Sequence, residues 1–392
     1  MSELLLHVEA GPAGAGAAVA RVREVLQGAG SVALLPWAVD ADARAALETA
    51  VGMDEPAEPT VILTTSGSAG RPKGVELPAA AIRASAIAAE RRLGGPGLWL
   101  TAIPVTGAGG LNTIARSLLN GVEPVLWSGL AGALHFDGAA IAPALVQTLA
   151  AAKRAGLRAY TSLVPTQIAR LVAHADADDA DAVEALRLLA DFHAVLVGAD
   201  ALNPALRHTL RSYGIHFVTT YGATETCGGC IYDDVPLDGV TLDFIGDEPG
   251  RIAITGPNVA ARYRDDDPAL GAGRWLSQDL GRMRMGHLEL VGRIDDLVKV
   301  GGSSIALTLI SRQFTALGLV DDVITLARAD NEWGSVPVAF IVGGDAPTPT
   351  LRKFAAAAVG RTSLPLDIVR LPALPLLPNG KPDRRALLEM VK

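Results

Sequence analysis

Hydrophobic and polar positions change rhythm several times along the chain. Residues 17–26 read as an amphipathic helix, 31–36 as a short apolar strand, and 40–50 as a helix opened by capping acids. Residues 60–64 (TVILT) are β-branched and apolar, as a buried strand requires. They run into a stretch rich in glycine and hydroxyl residues, 65–74, before a helix over 78–93. Further apolar runs at 98–103, 123–127, 159–164, 194–197 and 216–220 alternate with helical stretches. That alternation predicts an α/β domain with largely parallel strands. The Ala/Asp stretch 173–185 reads as a solvated helix or loop.

From about residue 243 the pattern shortens to strands and turns at 250–255, 273–280 and 286–290, which predicts a small antiparallel β-rich subdomain. A last block has its own strands at 323–327 and 336–342 and its own helices at 305–317 and 350–359, so it reads as a separate α+β domain. The expected division is therefore a large domain over 1–292 and a small one over 293–392. No internal repeat is present.

A chain of 392 residues, 49% hydrophobic and 19% charged, can bury two or three cores, and 42 Gly with 24 Pro is too few for a disordered or collagen-like chain. Lys and Arg total 34 against 42 for Asp and Glu, a net charge of −8, with no basic run. Binding to nucleic acid or a membrane surface through bulk charge is not expected. No apolar run reaches a membrane-spanning length, and the start carries Glu3 and Glu9 without a basic region, so a cytoplasmic location is expected. The two cysteines, Cys227 and Cys230, fit a reducing compartment. Their Cys-x-x-Cys spacing lacks the second ligand pair that zinc needs and the helix that a thioredoxin-like site needs.

The segment Thr65-Ser66-Gly67-Ser68-Ala69-Gly70-Arg71-Pro72-Lys73-Gly74 carries the most chemistry. Small residues let backbone amides approach an anion, and Lys73 adds a positive charge, so it reads as a phosphate cradle. It is not a Walker loop, because Pro72 precedes the lysine and Gly74 follows it. Four more segments follow in order: Tyr221-Gly222-Ala223-Thr224-Glu225-Thr226; Trp275-Leu276-Ser277-Gln278-Asp279-Leu280-Gly281; Gly292-Arg293-Ile294-Asp295-Asp296 leading to Gly301-Gly302; and Pro378-Asn379-Gly380-Lys381-Pro382.

Together the five segments resemble the acyl-adenylate-forming enzymes, the superfamily of acyl- and aryl-CoA ligases, peptide-synthetase adenylation domains and luciferases. The resemblance spans about residues 61–385. It implies a large N-terminal adenylate-forming domain and a small mobile C-terminal domain, with ATP, Mg²⁺ and CoA as the partners of a carboxylic acid. It further implies that Thr65, Ser66, Gly67, Ser68, Gly70 and Lys73 hold the β- and γ-phosphates, Thr224 the α-phosphate and Glu225 the Mg²⁺, a hard cation suited to carboxylate oxygen. Gly198, Ala199, Tyr221 and Gly222 would border the base, and Asp279 and Arg293 the ribose. Lys381 would bridge carboxylate and phosphate during adenylation, Asp295 would be the hinge, and Gly301 and Gly302 would line the pantetheine tunnel. A homodimer is left open.

Ser162-Leu163-Val164-Pro165-Thr166-Gln167, the segment from Glu225 to Asp233 and the short length further resemble the o-succinylbenzoate:CoA ligases of menaquinone biosynthesis, in their compact actinobacterial form. Their substrate has two carboxylates, so a second fixed cation is expected; Arg116 is the candidate, with Thr166, Gln167, Gly228 and Gly229 near the acyl group. An aryl- or acyl-CoA ligase of another pathway is the alternative, and a non-catalytic nucleotide-binding relative a second. Three departures from the family pattern stand out. Ala69 replaces a hydroxyl residue, Gly107 stands where many members have histidine, and 303–309 (SSIALTL) replaces the usual Glu-Asn-Ile-x-Pro-x-Glu.

Overall fold

The computed structural model describes residues 4–38, 40–66, 71–129, 139–199, 202–294, 296–375 and 382–391. The chain divides into two compact units. The first comprises Met1–Asp200, Thr209–Asp243 and Ala253–Ser277; the second comprises Ala201–His208, Phe244–Ile252 and Gln278–Lys392.

The chain opens with β1 (Leu5–Val8), α1 (Pro12–Leu26), β2 (Val32–Pro36), α2 (Ala41–Val51), β3 (Thr60–Ser66) and β4 (Pro72–Pro78). Pro12 starts α1, where a missing N–H costs nothing, and the Asp40 carboxylate caps α2 by accepting from the Ala43 N–H at 2.8 Å. β1, β2 and β3 pair in parallel, whereas β3 and β4 are antiparallel, with Thr65 opposite Lys73 and Ser66 opposite Pro72. The described ends of the glycine-rich segment, 65–66 and 72–74, thus lie on antiparallel strands. The expected order of strand, loop and helix is corrected here: alternating Val75 and Leu77 are buried, so 72–78 forms a strand before the helix begins at Ala79.

Next come α3 (Ala79–Leu93), β5 (Gly97–Thr101), α4 (Ala108–Leu119), β6 (Val125–Leu126), α5 (Ala142–Ala155), β7 (Arg158–Leu163), α6 (Pro165–Asp176), α7 (Ala180–Ala190), β8 (Ala194–Val197), α8 (Pro204–Ser212), β9 (Phe217–Ala223), β10 (Gly228–Tyr232) and β11 (Val235–Pro236). The sheet order is β11-β10-β9-β8-β7-β5-β6. β6, β5, β7, β8 and β9 are parallel, as the alternation of strands and helices predicts, and β10 folds back antiparallel on β9. β5 and β8 are buried along their whole length, which explains why they read as continuous apolar runs. The stretch 173–185 is largely exposed, as a solvated helix would be, with Ala175, Ala182 and Ala185 buried where α6 ends and α7 begins. α7 buries Ala182, Ala185, Leu186 and Leu189 and is capped by Asp179.

The β-rich part contains β12 (Thr241–Ile245), β13 (Gly250–Thr255), β14 (Arg262–Tyr263), β15 (Leu270–Gly271), β16 (Arg274–Arg284) and β17 (His287–Arg293). β14 does not join its neighbours in sequence. It pairs with β4, placing Tyr263 opposite Val75, and so extends the first sheet to β1-β2-β3-β4-β14.

The chain ends with β18 (Leu297–Val300), β19 (Ser303–Ala306), α9 (Leu307–Ala316), β20 (Asp322–Asp330), β21 (Gly334–Val342), α10 (Thr348–Ala358), β22 (Asp367–Leu371) and α11 (Arg384–Glu389), all in the second unit. β21 is the central strand of three, and its alternation serves two cores. Ala339 and Ile341 join Phe314, Leu351 and Ala355 on one face; Val338 and Phe340 join Leu326, Leu374 and Leu387 on the other. Among the described residues no helix is long and apolar enough to cross a membrane.

Candidate active site

The hairpin between β9 and β10 carries Thr224-Glu225-Thr226 as a single tight turn. Thr226 fixes that turn: its hydroxyl accepts from the Ala223 N–H at 2.9 Å and lies 2.7 Å from the Gly228 carbonyl oxygen. Cys227 and Gly228 both have positive φ, 51° and 89°, and a Cβ on Gly228 would lie 2.4 Å from Asn112 Nδ2. Glycine is therefore required there for both backbone and space. Asn112 also donates to the Cys227 carbonyl at 2.6 Å, which fastens the turn to α4. Gly222 and Gly229 face each other across the strand pair, and a Cβ on Gly222 would collide with the Gly228 carbonyl.

Glu225 is buried, and its Oε1 accepts from the Tyr263 hydroxyl at 2.8 Å. Its backbone carbonyl accepts from the Ala260 N–H at 2.8 Å. Tyr263, on β14, lies beside the lysine of the glycine-rich segment as well, with Lys73 Nζ 4.9 Å from its ring centroid. The same ammonium lies 2.5 Å from Asp267 Oδ2 and 3.2 Å from Asp265 Oδ2. Burial works against the charge on Lys73, but the hydrogen bonds and charges of Asp267 and Asp265 outweigh it and raise its pKa above the ordinary value. Arg264 crosses over Gly74, where a Cβ would be 2.5 Å from the Ala50 carbonyl and 2.8 Å from Arg264 Cγ.

Arg116 on α4 is not a surface arginine, being only 2% exposed. Its Cζ lies 4.7 Å from the Trp99 ring centroid, and Nη2 donates to the Tyr232 hydroxyl at 3.0 Å. Among the described residues it has no ion pair, and its buried Nε finds no acceptor; nor does the neighbouring indole N–H of Trp99. Asn112 and Arg116, one helical turn apart, thus both reach β10 and the turn that precedes it.

Of the other residues singled out, Thr166 is exposed at the start of α6, whereas Gln167 is buried with both ends of its amide on backbone. Its Oε1 accepts from the Val164 N–H at 3.0 Å and its Nε2 donates to the Ala102 carbonyl at 2.9 Å. It therefore shapes the strand-to-helix corner. Gly198 directly follows β8 and lies against Thr220, whose Oγ1 a Cβ would approach to 2.5 Å, and Ala199 takes the left-handed conformation at φ 75°. Tyr221 is half-buried and Gly222 exposed at the end of β9. Gly107, at the departure noted above, opens α4 with only the Pro104 carbonyl near a built Cβ, at 3.6 Å.

In the second unit, Asp279 and Arg293 are cross-strand partners on β16 and β17, with Arg293 Nη1 3.2 Å from Asp279 Oδ1. Gly301 and Gly302 form the β18–β19 turn at φ 56° and 80°. Gly301 lies under Trp333, whose carbonyl accepts its N–H at 2.9 Å, while Gly302 faces open space. Asp296 is anchored by the Thr308 hydroxyl at 2.7 Å and by Arg384 at 3.1 Å, so the unusual 303–309 segment supplies a helix start tied to that carboxylate. Gly67, Ser68, Ala69, Gly70, Asp295 and Lys381 lie outside the described residues.

Cys227 and Cys230 are buried free thiols, and no group of three or more metal-ligating side chains is found among the described residues.

Residues 13–268 match the AMP-binding enzyme family. Over 338 residues the chain is 37% identical to a probable 2-succinylbenzoate–CoA ligase of Mycobacterium tuberculosis (strain CDC 1551 / Oshkosh), covering 84% of this chain and 83% of the relative. The chain belongs to the AMP-binding enzyme family. Two solved structures show the same fold. One is the o-succinylbenzoate CoA synthetase of Bacillus subtilis in complex with its acyl-adenylate intermediate, with TM-score 0.66, 21% identity, and 94% and 80% of the two chains covered. The other is an amide bond synthetase of Marinactinospora thermotolerans, with TM-score 0.71, 19% identity, and 99% and 89% covered.

For a member of this AMP-binding family, Tyr263, Asp265, Asp267, Asn112, Tyr232 and Trp99 are residues that motif reading passed over. The run Arg262-Tyr263-Arg264-Asp265-Asp266-Asp267 was the visible signal for three of them. Its pairing with β4 is what gives the run a role.

Proposed function

We propose that this AMP-binding enzyme is an ATP-dependent o-succinylbenzoate:CoA ligase of menaquinone biosynthesis. One substrate carboxylate attacks the α-phosphorus of ATP, and pyrophosphate leaves. The CoA thiolate then attacks the acyl carbonyl, and AMP leaves with the pair of electrons that joined it to the acyl group.

The observation that carries the substrate is Arg116, a buried guanidinium with an unsatisfied Nε and no carboxylate partner among the described residues. A buried charge without a counterion is costly, and a dicarboxylate substrate would supply one. The 37% identical mycobacterial relative, a probable 2-succinylbenzoate–CoA ligase, supports the same acid. Gly228 and Gly229 would border the aromatic ring through their backbone, the space beside their Cα atoms being taken by Asn112 and Thr220, while Thr166 and Gln167 would shape the far wall.

In the first half-reaction charge accumulates on the phosphate oxygens and must be met by fixed donors. Thr65 to Gly70 and Lys73 would hold the β- and γ-phosphates, and Thr224 the α-phosphate. Glu225 suits Mg²⁺, since it offers hard oxygen from a fixed turn. When bound, Mg²⁺ would neutralise the leaving pyrophosphate. Gly198, Ala199, Tyr221 and Gly222 are assigned to the base, and Asp279 and Arg293 to the ribose. Lys381 is assigned to adenylation, Asp295 to the hinge at the boundary of a mobile C-terminal domain, and Gly301 and Gly302 to the pantetheine arm.

The test is AMP formation with Mg-ATP and CoA, comparing o-succinylbenzoate with benzoate, succinate and a medium-chain fatty acid. AMP and thioester with o-succinylbenzoate alone support the proposal. Turnover only with another acid would retain the ligase and discard the substrate.

A further inference from the structure

We propose that Tyr263 is a positioning residue for Glu225, through a one-way relay that runs from the Trp275 indole N–H to the Tyr263 hydroxyl and on to the Glu225 carboxylate. The inference rests on the reading of Glu225 as the residue that receives the metal of the metal–nucleotide complex.

The relay's direction follows from the chemistry of its members. Trp275 Nε1 lies 3.1 Å from the Tyr263 hydroxyl oxygen, and an indole nitrogen can only donate. The phenol must therefore accept there. Its single proton is left for Glu225 Oε1, 2.8 Å away, and an ionised carboxylate only accepts. Glu225 is thereby held in one rotamer by a side chain on a different strand. β14 is in turn registered on β4, where Arg262 lies opposite Glu76 and Tyr263 opposite Val75.

The relay also reaches the phosphate lysine. The face of the Tyr263 ring lies beside Lys73 Nζ, whose other contacts, Asp265 and Asp267, follow two and four residues later. One short segment therefore places two groups assigned to the same triphosphate, the cation of Lys73 and the carboxylate of Glu225. Neither contact involves the base, the ribose or the acid substrate.

Tyr263→Phe removes the hydroxyl and leaves the ring beside Lys73. The experiment is a titration with Mn²⁺, followed by electron paramagnetic resonance, of the full chain saturated with α,β-methylene-ATP. Loss of one charge-assisted hydrogen bond should raise the Mn²⁺ dissociation constant about tenfold. Trp275→Phe, which leaves the phenol in place but frees its direction, should raise it about threefold, a smaller part of the same hydrogen-bond effect. A merely structural role would lower the melting temperature and leave both constants unchanged. If Tyr263→Phe fails to fold, Trp275→Phe decides alone.

Glu225→Ala separates the two readings. Unchanged Mn²⁺ affinity in Glu225→Ala would remove the metal reading of Glu225 itself. Weakened affinity there, together with wild-type affinity in the Tyr263 and Trp275 variants, would overturn the relay and leave the reading of Glu225 standing.

Discussion

Arg116 lies over the face of Trp99, with its Cζ 4.7 Å from the ring centroid, inside the layer between α4 and the seven-stranded sheet. The aromatic face and the Tyr232 hydroxyl compensate part of the cost of burying that charge, but neither removes it. Arg116→Met, close in volume and apolar, should therefore fold with a melting temperature equal to or above wild type. Its kcat/KM for o-succinylbenzoate should fall about 10- to 150-fold, the worth of one or two charge-assisted hydrogen bonds. Pyrophosphate release and a thermal melt measure the two quantities. A lower melting temperature with unchanged kcat/KM would make Arg116 a core residue only.

Lys73 is held by two carboxylates that raise its pKa above 10.5, so it stays an ammonium across the neutral and mildly alkaline range. The contribution to nucleotide binding assigned to that ammonium would be fully present below the ordinary lysine pKa and lost only as pH rises through the raised value. The ATP dissociation constant of the wild type should accordingly be flat between about pH 7 and 9. Lys73→Met should raise it about tenfold at every pH in that window, as loss of one charged contact to phosphate requires. Calorimetric titration at three pH values checks both statements, and a wild-type affinity that declines steadily from pH 7 would contradict the first.

Much of this could be read from the sequence, and the failures share a cause. The parallel core was legible because β5, β7 and β8 are apolar runs separated by helices, a signal local to each segment. The strand that follows the glycine-rich segment was missed because Pro72 and Pro78 bracket β4, and proline reads as loop. Lys73 and Asp267 are 194 positions apart, and β14, which brings them together, is two residues long. No periodicity survives in two residues. The burial of Arg116 was equally hidden, because α4 is buried on nearly every face and leaves no polar stripe from which to judge it.

Two glycines make a paired test of what the turns require. Gly228 has φ 89° and a Cβ there would meet Asn112 Nδ2 at 2.4 Å, whereas Gly302 has φ 80° with nothing within 4 Å. Gly302→Ala should cost about 1 kcal/mol, the conformational penalty alone. Gly228→Ala adds a steric clash and the loss of the Asn112 bond to the Cys227 carbonyl, for about 3 kcal/mol in all. Urea unfolding of both variants measures the difference, and equal costs would mean that the Asn112 contact yields freely.

Burial raises the pKa of both thiols, that of Cys230 to about 12 and that of Cys227 further still. At pH 8 neither is a thiolate, and the thiolate is the reactive form. The native protein should leave both cysteines unlabelled by 5,5′-dithiobis(2-nitrobenzoate) over minutes, and label both once denatured in guanidinium. Rapid labelling of the folded protein would show that the β9–β10 turn opens locally.

The two half-reactions can be separated by substitutions at two positions. Asp296 is held within the second unit by Thr308 and Arg384, so a pivot at Asp295 would be bounded on its C-terminal side by a fixed residue. Asp295→Pro restricts φ to about −65° and should slow thioester formation more than adenylation. Lys381, if it serves adenylation alone, should show the reverse. Lys381→Ala would abolish pyrophosphate release, yet still convert chemically supplied acyl-adenylate and CoA to thioester at a rate near wild type. Both variants are assayed by single-turnover release of pyrophosphate and, separately, by thioester formation from the acyl-adenylate. Equal loss of both steps in Lys381→Ala would mean that the lysine supports the fold or the thioester state as well. Equal loss in Asp295→Pro would place the pivot elsewhere in the chain.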